Sequence, residues 1–296
     1  MRLGRVLFAN VTEPAVLHQD TWVRVSCLGL PDLEGGIACL LGRSQELLGA
    51  LDGVVISELV ARGDAVPAAS AHLQSPLERT SSIIAVGLNY RAHIAEVEWK
   101  APTNPLLFAK WSSALTGPYN EIALDASLSQ QVDYEVELVA VIGRHTRDVD
   151  VAHALEHIGG YAVANDVSAR DVQKADSQWT RAKSFDGFCP IGPWITTADE
   201  VADPQDLELS CVVNGSVRQH ANTAQMIFGV AELVAFASHG MTLHPGDVLL
   251  TGTPSGVALG SESPQWLKPG DVVRSEIAGL GYLENHITAR AAAEAS

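Results

Sequence analysis

The sequence predicts an α+β fold that is rich in β-strands. Three observations favour it: many short apolar runs alternate like strands, few segments show helical periodicity, and turn dipeptides separate the runs. The chain has 296 residues, of which 47% are hydrophobic. That is enough for a large core, either as one long domain or as a main domain with a smaller appendage.

The first half of the chain holds strand-like runs and one predicted helix. WVRVSCLG and GGIACLLG are expected to be strands, and SQELLGALDGVVISELV is expected to be helical. Around residues 62–82 the pattern gives way to Ala, Ser and Pro, which is typical of a linker or a surface segment. SIIAVGLNY, from Ser82, then predicts a new buried strand.

Capping residues and glycines predict two helices further along the chain. Asp148 or Asp150 is expected to cap a short helix over DVDVAHALEHIGG that stops at Gly159–Gly160. Thr223 is expected to cap an amphipathic helix over TAQMIFGVAELVAFASHGM, with Gly240 just past its end.

Turn signals predict the connections between the later strands. Asn214-Gly215 in CVVNGSVRQ predicts a hairpin with a type I′ turn. Pro245-Gly246 and Pro269-Gly270 predict type II turns. The last residues, ARAAAEAS, are expected to be frayed.

The composition restricts the classes of partner. The formal charge is −16, with 35 acidic against 19 basic residues, which argues against nucleic acid and anionic membrane surfaces. No stretch reaches the roughly 18 apolar residues of a membrane span, and the apolar run at the start is too short for a signal peptide. The four widely spaced cysteines form no CxxC pair and favour a reducing compartment. We therefore expect a cytoplasmic protein.

QVDYEVELVAVIG, residues 131–143, predicts a strand with acids at its start. Glu135 and Glu137 share one face and lie about 6.5–7 Å apart. Two buried, ionised carboxylates disfavour each other, whereas a hard divalent cation such as Mg²⁺ or Mn²⁺ prefers such oxygens. The alternative is a solvated strand edge paired with Arg or Lys.

A third acidic residue could bind the same divalent cation. In YAVANDVSARD, Asp166 follows a strand that should lie beside the first one. Three carboxylates would leave positions on an octahedral ion for water or substrate. We expect Glu135, Glu137 and Asp166 to be tolerable together only because a divalent cation neutralises them. Asp133 is either a further ligand or, as we favour, a turn residue.

Five stretches in order carry a resemblance to a known family. They are IIAVGLNYRAHIAE, VDYEVELVAVIGR, NDVSARDVQ, AKSFDGFCPIGPW and LLTGTPSGVALG. Over roughly residues 80–285 the chain resembles the fumarylacetoacetate hydrolase family. The resemblance implies a mixed β-sandwich or β-roll catalytic domain over 76–296 and a small β-rich N-terminal domain over 1–75. It also implies a homodimer with a Mg²⁺ or Mn²⁺ site.

The resemblance implies roles for the residues that match its motifs. The metal ligands are Glu135, Glu137 and Asp166, and the catalytic dyad is His93 and Glu96. Residues three apart on a short helix lie about 5–6 Å apart, so the carboxylate can orient the imidazole to take a proton from water. Without the family context, a surface helix pair would be the preferred interpretation of the dyad.

Further matches concern the substrate. Lys183 matches an active-site lysine that could stabilise an oxyanion, although an ordinary surface lysine is the alternative. Gln173 and Thr253 match substrate contacts. Arg91 and Arg170 could each face a substrate carboxylate or an acidic neighbour, and we favour the structural role for Arg170. TGTPSG lacks the Gly-Lys-Ser/Thr of a phosphate loop, which argues against nucleotide binding.

This sequence departs from the family pattern at the Lys-Pro pair that many members carry after the dyad. Here Lys100 and Pro102 are separated by Ala101. With Trp99 and Trp111, this region is expected to shape an unusual pocket.

The resemblance implies metal-dependent hydrolysis of a C–C bond in a diketo acid, of the acylpyruvate or fumarylpyruvate type, by His/Glu-activated water. Two alternatives on the same fold are an oxaloacetate decarboxylase and a hydroxy-dienoate isomerase. An alternative of another class is a non-catalytic ligand-binding homologue.

Overall fold

The computed structural model describes residues 1–78 and 82–290. The strands of its first half are β1 (Arg2–Phe8), β2 (Val11–His18), β3 (Thr21–Arg24), β4 (Ala65–Pro67), β5 (Leu73–Gln74), β6 (Ile83–Gly87), β7 (Leu106–Lys110), β8 (Leu115–Thr116), β9 (Ile122–Leu124) and β10 (Val132–Asp133). Those of the second half are β11 (Val136–Ile142), β12 (Ile158–Asn165), β13 (Ser168–Ala169), β14 (Cys189–Thr197), β15 (Glu208–Val213), β16 (Ser216–Asn222), β17 (Val248–Leu250), β18 (Val272–Ile277) and β19 (Gly281–Ala289). The α-helices are α1 (Ser44–Leu51), α2 (Ile56–Arg62), α3 (Arg91–Glu96), α4 (Arg170–Asp176), α5 (Trp179–Ala182) and α6 (Val230–Ser238).

Three sheets result. The largest runs β4-β3-β2-β1-β14-β12-β11-β17-β6-β7, with β5 paired to β1 and β8 paired to β14. A second sheet runs β16-β15-β18-β19-β9, and β10 pairs with β13 alone. The predicted β-rich α+β fold is confirmed.

The largest sheet curls back on itself. β7 lies five strand spacings from β14, about 24 Å across a flat sheet. Yet β8 pairs with β14 in parallel and begins only five residues after β7 ends, a reach of at most about 18 Å. The sheet must therefore bend, and this brings the end of β7 towards β12.

Strand β11 lies at the centre and is buried on both faces, which explains its unbroken apolar sequence. Leu138 and Ala140 join a core shared with the second sheet and α6. Val139 and Val141, which point to the opposite face, join a core shared with β1, β2, β3, α1 and α2. Glu137 belongs to this second face, so the predicted face is correct.

The N-terminal predictions are partly wrong. GGIACLLG contains the 3₁₀ helix Gly36–Leu40 instead of a strand, and WVRVSCLG leaves the sheet after Arg24 for a second 3₁₀ helix. The predicted single helix is divided into α1 and α2, with Gly53 at φ 75° between them. Such a positive φ suits glycine and ends a helix.

Residues 62–78 are not a linker, because they contribute β4 and β5 to the largest sheet. Residues 79–81 of the predicted linker, like 291–296 of the predicted frayed tail, lie outside the described residues. Strand β1 pairs with β14 through Arg2–Thr196 and Leu3–Ile195. The first 75 residues thus share the largest sheet, and their status as a separate domain stays a prediction.

Two predicted helices are shorter than expected. Over DVDVAHALEHIGG only Ala154–His157 forms a 3₁₀ helix, since Ile158 and Gly160 already pair with β11. The amphipathic helix begins at Val230 and not at Thr223. The Thr223 hydroxyl instead accepts a hydrogen bond from the Leu207 amide at 2.9 Å, while Glu232 caps α6 by accepting from the Gly229 amide.

The turn predictions are confirmed. Asn214 and Gly215 have φ of 51° and 77° between β15 and β16, as a type I′ turn requires. Gly246 and Gly270 have φ of 89° and 97°, as expected for the third position of a type II turn. Within the described part of the chain, no helix is long and apolar enough to cross a bilayer.

Candidate active site

Three buried carboxylates meet where β11 begins and β12 ends. Glu137 lies on β11, Glu135 lies just before it, and Asp166 directly follows β12. Because β11 and β12 are antiparallel, with Val136 opposite Asn165, these positions are neighbours. One carboxylate oxygen from each residue lies within 4.8 Å of the others. The grouping that the sequence predicted is therefore found.

The predicted strand 131–143 is interrupted at this point. β10 and β11 are separate strands, and Tyr134 and Glu135 lie between them. The Glu135 amide donates to the Asn165 side chain at 2.9 Å, and the Glu135 carbonyl accepts from the Asp166 amide at 2.8 Å. These bonds hold Glu135 beside Asp166.

Glu135 and Asp166 each bind cations of the chain itself. Lys183 Nζ lies 2.6 Å from Glu135 Oε2 and 2.6 Å from Asp166 Oδ2. Lys110 Nζ lies 2.5 Å from Asp166 Oδ1, and Arg170 Nη2 lies 2.5 Å from Glu135 Oε1. The expectation that only a divalent cation makes the acids tolerable is thus wrong for two of the three.

These ion pairs set the protonation of the groups. Burial alone would raise the pKa of Glu135, but the charges of Arg170 and Lys183 outweigh it and hold that pKa below its ordinary value. Burial alone would lower the pKa of Lys183, but Asp166 and Glu135 raise it. Lys183 is therefore a buried ammonium, not the ordinary surface lysine of the alternative interpretation.

Glu137 is the carboxylate with no such compensation. Its Oε2 accepts a hydrogen bond from the Gly252 amide at 2.7 Å, and no cation among the described residues forms an ion pair with it. Burial, Asp166 and Glu135 together raise its pKa well above the ordinary value. A bound divalent cation would reverse this effect.

The donor set fits a hard divalent cation. The candidate ligands are carboxylates, which suit Mg²⁺ and Mn²⁺. Counting Asp133, four buried acids face three buried cations, Lys110, Arg170 and Lys183. One negative charge is left over, and it lies at Glu137, within reach of the other two ligands.

The predicted dyad is formed on a short helix, as expected. His93 and Glu96 both lie on α3, with His93 Nδ1 3.4 Å from Glu96 Oε2. Glu96 also accepts from the Gly256 amide at 2.9 Å through Oε1. A Cβ at Gly260 would overlap the Glu96 side chain, so this glycine leaves room for the carboxylate. His93 is buried, which does not suit the surface helix pair.

The predicted substrate residues are divided between the inside and the outside of the site. Gln173 and Thr253 line the same cavity as His93. Gln173 Oε1 accepts from Arg170 Nη1 at 2.9 Å, and the Thr253 hydroxyl donates to the Val136 carbonyl at 3.0 Å. Arg91, itself among the described residues, is exposed and lies outside the cavity lining.

Asp133 is neither a ligand in the cluster nor a turn residue. It is buried on β10 and accepts from the amides of Ala258 and Leu259 at 2.8 and 3.0 Å. Its other oxygen contact is Arg170 Nε at 2.9 Å. It therefore anchors the loop after Gly256, and the structural role favoured for Arg170 is found, although Arg170 also lines the cavity.

The sequence interpretation missed Lys110. It considered Lys100 as the lysine of this region, but Lys100 is exposed. Lys110, in contrast, is buried and donates a hydrogen bond to Asp166. A charged residue ending the apolar run LLFAK was the available signal, because a buried lysine needs a partner. Trp99 does line the cavity, but the Trp111 side chain is 65% exposed and lies outside it.

The cleft has about 400 Å³ of empty space between its lining atoms, part of which is open to solvent. Its polar lining consists of Glu135, Glu137, Lys183, His93, Arg170, Gln173 and Thr253. Its apolar lining includes Phe108, Trp179 and Leu259. A few convergent polar groups in a largely apolar cleft are typical of a site for a small ligand, here one that carries negative charge towards Lys183 and Arg170.

Comparison with known proteins agrees with this site. A family model described as "Fumarylacetoacetate (FAA) hydrolase C-terminal" matches residues 82–288. The chain is 43% identical over 230 residues to the "Oxaloacetate tautomerase Fahd2a, mitochondrial" of Rattus norvegicus, covering 77% of this chain and 73% of that protein.

Two solved structures are similar over almost the whole chain. The 5-carboxymethyl-2-hydroxymuconate delta-isomerase of Mycobacterium smegmatis has a TM-score of 0.77 at 36% identity, covering 98% of this chain and 100% of that one. The maleylpyruvate hydrolase of Sphingobium sp. SYK-6, in complex with manganese(II) and pyruvate, has a TM-score of 0.79 at 31% identity with the same coverage. Similar proteins thus carry tautomerase, isomerase and hydrolase names.

Proposed function

The chain belongs to the fumarylacetoacetate hydrolase family, and from this premise we propose that it interconverts the keto and enol forms of a short 2-oxo dicarboxylate such as oxaloacetate, using a divalent cation. The observation that carries the proposal is a buried histidine, fixed by a carboxylate, in the same cavity as Glu135 and Glu137 of the acidic cluster. Keto–enol exchange needs one group that moves a proton at carbon 3 and a positive environment for the 2-oxo oxygen.

A cation held by Glu135, Glu137 and Asp166 would supply a Lewis acid for the 2-oxo oxygen. His93 Nδ1 faces Glu96, which leaves Nε2 to take a proton from carbon 3 and deliver it to the 2-oxo oxygen, and to carry it from oxygen back to carbon 3 in the reverse direction. The Lys183 ammonium donates to Glu135 and Asp166, and its third N–H can donate to the oxygen on which charge develops. Arg170 and Gln173 line the cavity and would bind the distal carboxylate.

The relative's name supports tautomerisation over the other reactions. At 43% identity over 77% of this chain, the rat protein is named an oxaloacetate tautomerase. A tautomerase needs only a base and a polarised carbonyl, and it consumes no water.

The experiment supplies oxaloacetate as its enol and follows the decay of the enol absorbance with Mg²⁺ or Mn²⁺. We expect catalysis that EDTA abolishes, that either cation restores, and that Glu137→Ala loses. Glu200→Ala, at an exposed position, serves as the matched control. Undiminished catalysis after complete chelation would contradict the proposal. Parallel measurement of CO₂ tests oxaloacetate decarboxylation, and we expect none above the uncatalysed rate.

Hydrolysis of a C–C bond in an acylpyruvate is the second candidate. The His93–Glu96 pair could equally take a proton from water, and the Sphingobium neighbour is a maleylpyruvate hydrolase bound to manganese(II) and pyruvate. Fumarylpyruvate and simple acylpyruvates, incubated in ¹⁸O-water with Mn²⁺, test it. Label in the acyl product indicates hydrolysis, and its absence leaves tautomerisation or hydroxy-dienoate isomerisation.

Three further predictions, a non-catalytic homologue, a homodimer and a cytoplasmic location, can each be tested directly. A non-catalytic homologue would show no turnover of any of these acids despite binding metal. The homodimer is tested by light scattering of the purified chain. The four cysteines are free, which suits a reducing compartment such as the cytoplasm, whereas the rat relative is named mitochondrial; tagged protein in cell fractions tests the location.

A further inference from the structure

Two neighbouring cavities share part of their lining. The inner cavity is lined by Glu135, Glu137, His93 and Lys183, and an outer cavity is lined by exposed groups such as Glu98 and Lys174. Both are lined by the same six residues, which we call the neck: Val97, Trp99, Arg170, Gln173, Trp179 and Leu259. A ligand longer than the inner cavity must pass the neck.

Trp179 is an aromatic side chain of the neck that packs against several neighbours. Its ring packs so closely on Gly87 that a Cβ there would overlap it. Phe108 contacts it edge-on with 5.3 Å between ring centroids, and Trp99 with 5.7 Å. Such aromatic pairs resist displacement, so the ring limits the width of the neck.

The same aromatic group reaches the catalytic end of the cavity. Lys183 Nζ lies 5.1 Å from the centroid of the Phe108 ring, within the range of a cation–π contact. Phe108 therefore touches both the ammonium and Trp179. The distance available between the ammonium and the neck is fixed by packed rings instead of a loose loop.

The chemistry of the neck differs from one side to the other. Arg170 and Gln173 can hold a carboxylate, whereas Val97, Trp99, Trp179 and Leu259 offer only apolar surface. A short dicarboxylate can place its second carboxylate on the polar side without passing the neck. A longer acyl chain has to displace Trp179.

We propose that Trp179 is a specificity-determining residue that restricts the site to short 2-oxo acids, an inference that rests on the proposed function. Replacing the ring by a smaller side chain joins the two cavities and admits longer acyl groups. This restriction on the length of the acyl group acts on binding, so it does not depend on which reaction His93 catalyses.

The test measures binding by calorimetry with the Mg²⁺-loaded protein. Oxalate is the short probe and benzoylpyruvate is the long one. We expect Trp179→Ala to tighten benzoylpyruvate binding by about tenfold or more and to leave oxalate binding unchanged. Trp111→Ala, which removes the same side chain from an exposed position, should change neither affinity.

Trp179→Leu repeats the test with a variant that keeps an apolar side chain, in case alanine prevents folding. The proposal would be overturned if the ratio of the benzoylpyruvate affinity to the oxalate affinity were the same in both variants as in the wild type. It would also be overturned if the wild type bound benzoylpyruvate as tightly as oxalate. If the ratio shifts but no variant tautomerises oxaloacetate, the proposed function fails while the length limit stands.

Discussion

Glu96 connects the candidate base, His93, to the loop that contains Gly256. Its carboxylate faces His93 Nδ1 at 3.4 Å and accepts from the Gly256 amide at 2.9 and 3.1 Å. Glu96→Gln keeps an acceptor for Gly256 but removes the charge that orients the imidazole. We expect turnover to fall by about 10- to 100-fold, less than the 10²–10⁴ that a general base supplies, with metal affinity unchanged.

Steady-state kinetics and calorimetry with Mn²⁺ measure the two quantities. Glu98→Gln is the matched control, because Glu98 is exposed and two residues away. A Glu96→Gln protein with wild-type turnover would show that His93 needs no carboxylate partner.

Glu137 gives the metal-free protein a pH dependence of defined sign. Its pKa in the folded state is raised above the ordinary 4.5 by burial and by Asp166 and Glu135. Above pH 4.5 the unfolded chain releases this proton while the folded one retains it, so the free energy of unfolding falls as pH rises towards the folded pKa. Below pH 4.5 the carboxyl is protonated in both states and has no such effect.

We therefore expect Glu137→Gln to stabilise the metal-free protein by more than about 1 kcal/mol at neutral pH, with a gain that grows as pH rises from 4.5. Urea unfolding in EDTA at several pH values measures it. Added Mn²⁺ should stabilise the wild type more than the variant. A gain that shrinks with rising pH would contradict the proposed charge state.

At the scale of elements, the sequence predicted β11 well because two independent signals coincide there. The alternation of acids predicted one face, and the apolar run predicted the strand itself, which the structure shows to be buried on both sides. Helices were predicted less well. The division between α1 and α2 depends on one glycine. The start of α6 depends on the local cap by Glu232 and on Gln205, which accepts from the Val230 amide from 25 residues away and is brought there by tertiary packing.

In the candidate site, too, contacts set by local geometry were predicted better than contacts that depend on tertiary packing. Glu135 and Glu137 are two residues apart, so strand geometry alone brings them together. Lys110 is 56 residues from Asp166, and only the curl of the largest sheet joins them. No local pattern contains that information, which is why Lys110 and the anchoring role of Asp133 were not predicted.

Asp133 connects strand β10 to α4 and to the loop after Gly256. It binds Arg170 and the amides of Ala258 and Leu259. Asp133→Ala leaves Arg170 with one buried carboxylate fewer and two amides unsatisfied. Since breaking a buried ion pair costs about 3–5 kcal/mol, we expect a loss of that order in the free energy of unfolding.

Urea unfolding measures this loss, and Asp186→Ala, an exposed aspartate outside the cavity lining, is the control. A loss no greater than that of the control would show that the loop is held by other contacts.

At the scale of the whole molecule, the N-terminal segment is part of the core that supports the site. Leu3 and Val16 pack in one apolar cluster with Val139 and Ala164, which flank Glu137 and Asp166 in strands β11 and β12. The edge of β14 is covered by β1. Removing residues 1–75 would therefore expose both an apolar face and a strand edge.

The fragment 76–296 is accordingly expected to aggregate or to remain unfolded. Each buried Leu or Val contributes about 1.5–3 kcal/mol, so losing several exceeds the 5–15 kcal/mol by which a whole protein is stable. The intact chain should unfold in a single transition, with tryptophan fluorescence and circular dichroism coinciding. A soluble fragment that still binds Mn²⁺ would instead establish residues 1–75 as the separate domain that the sequence predicted, since the site would then be supported without β1 and β2.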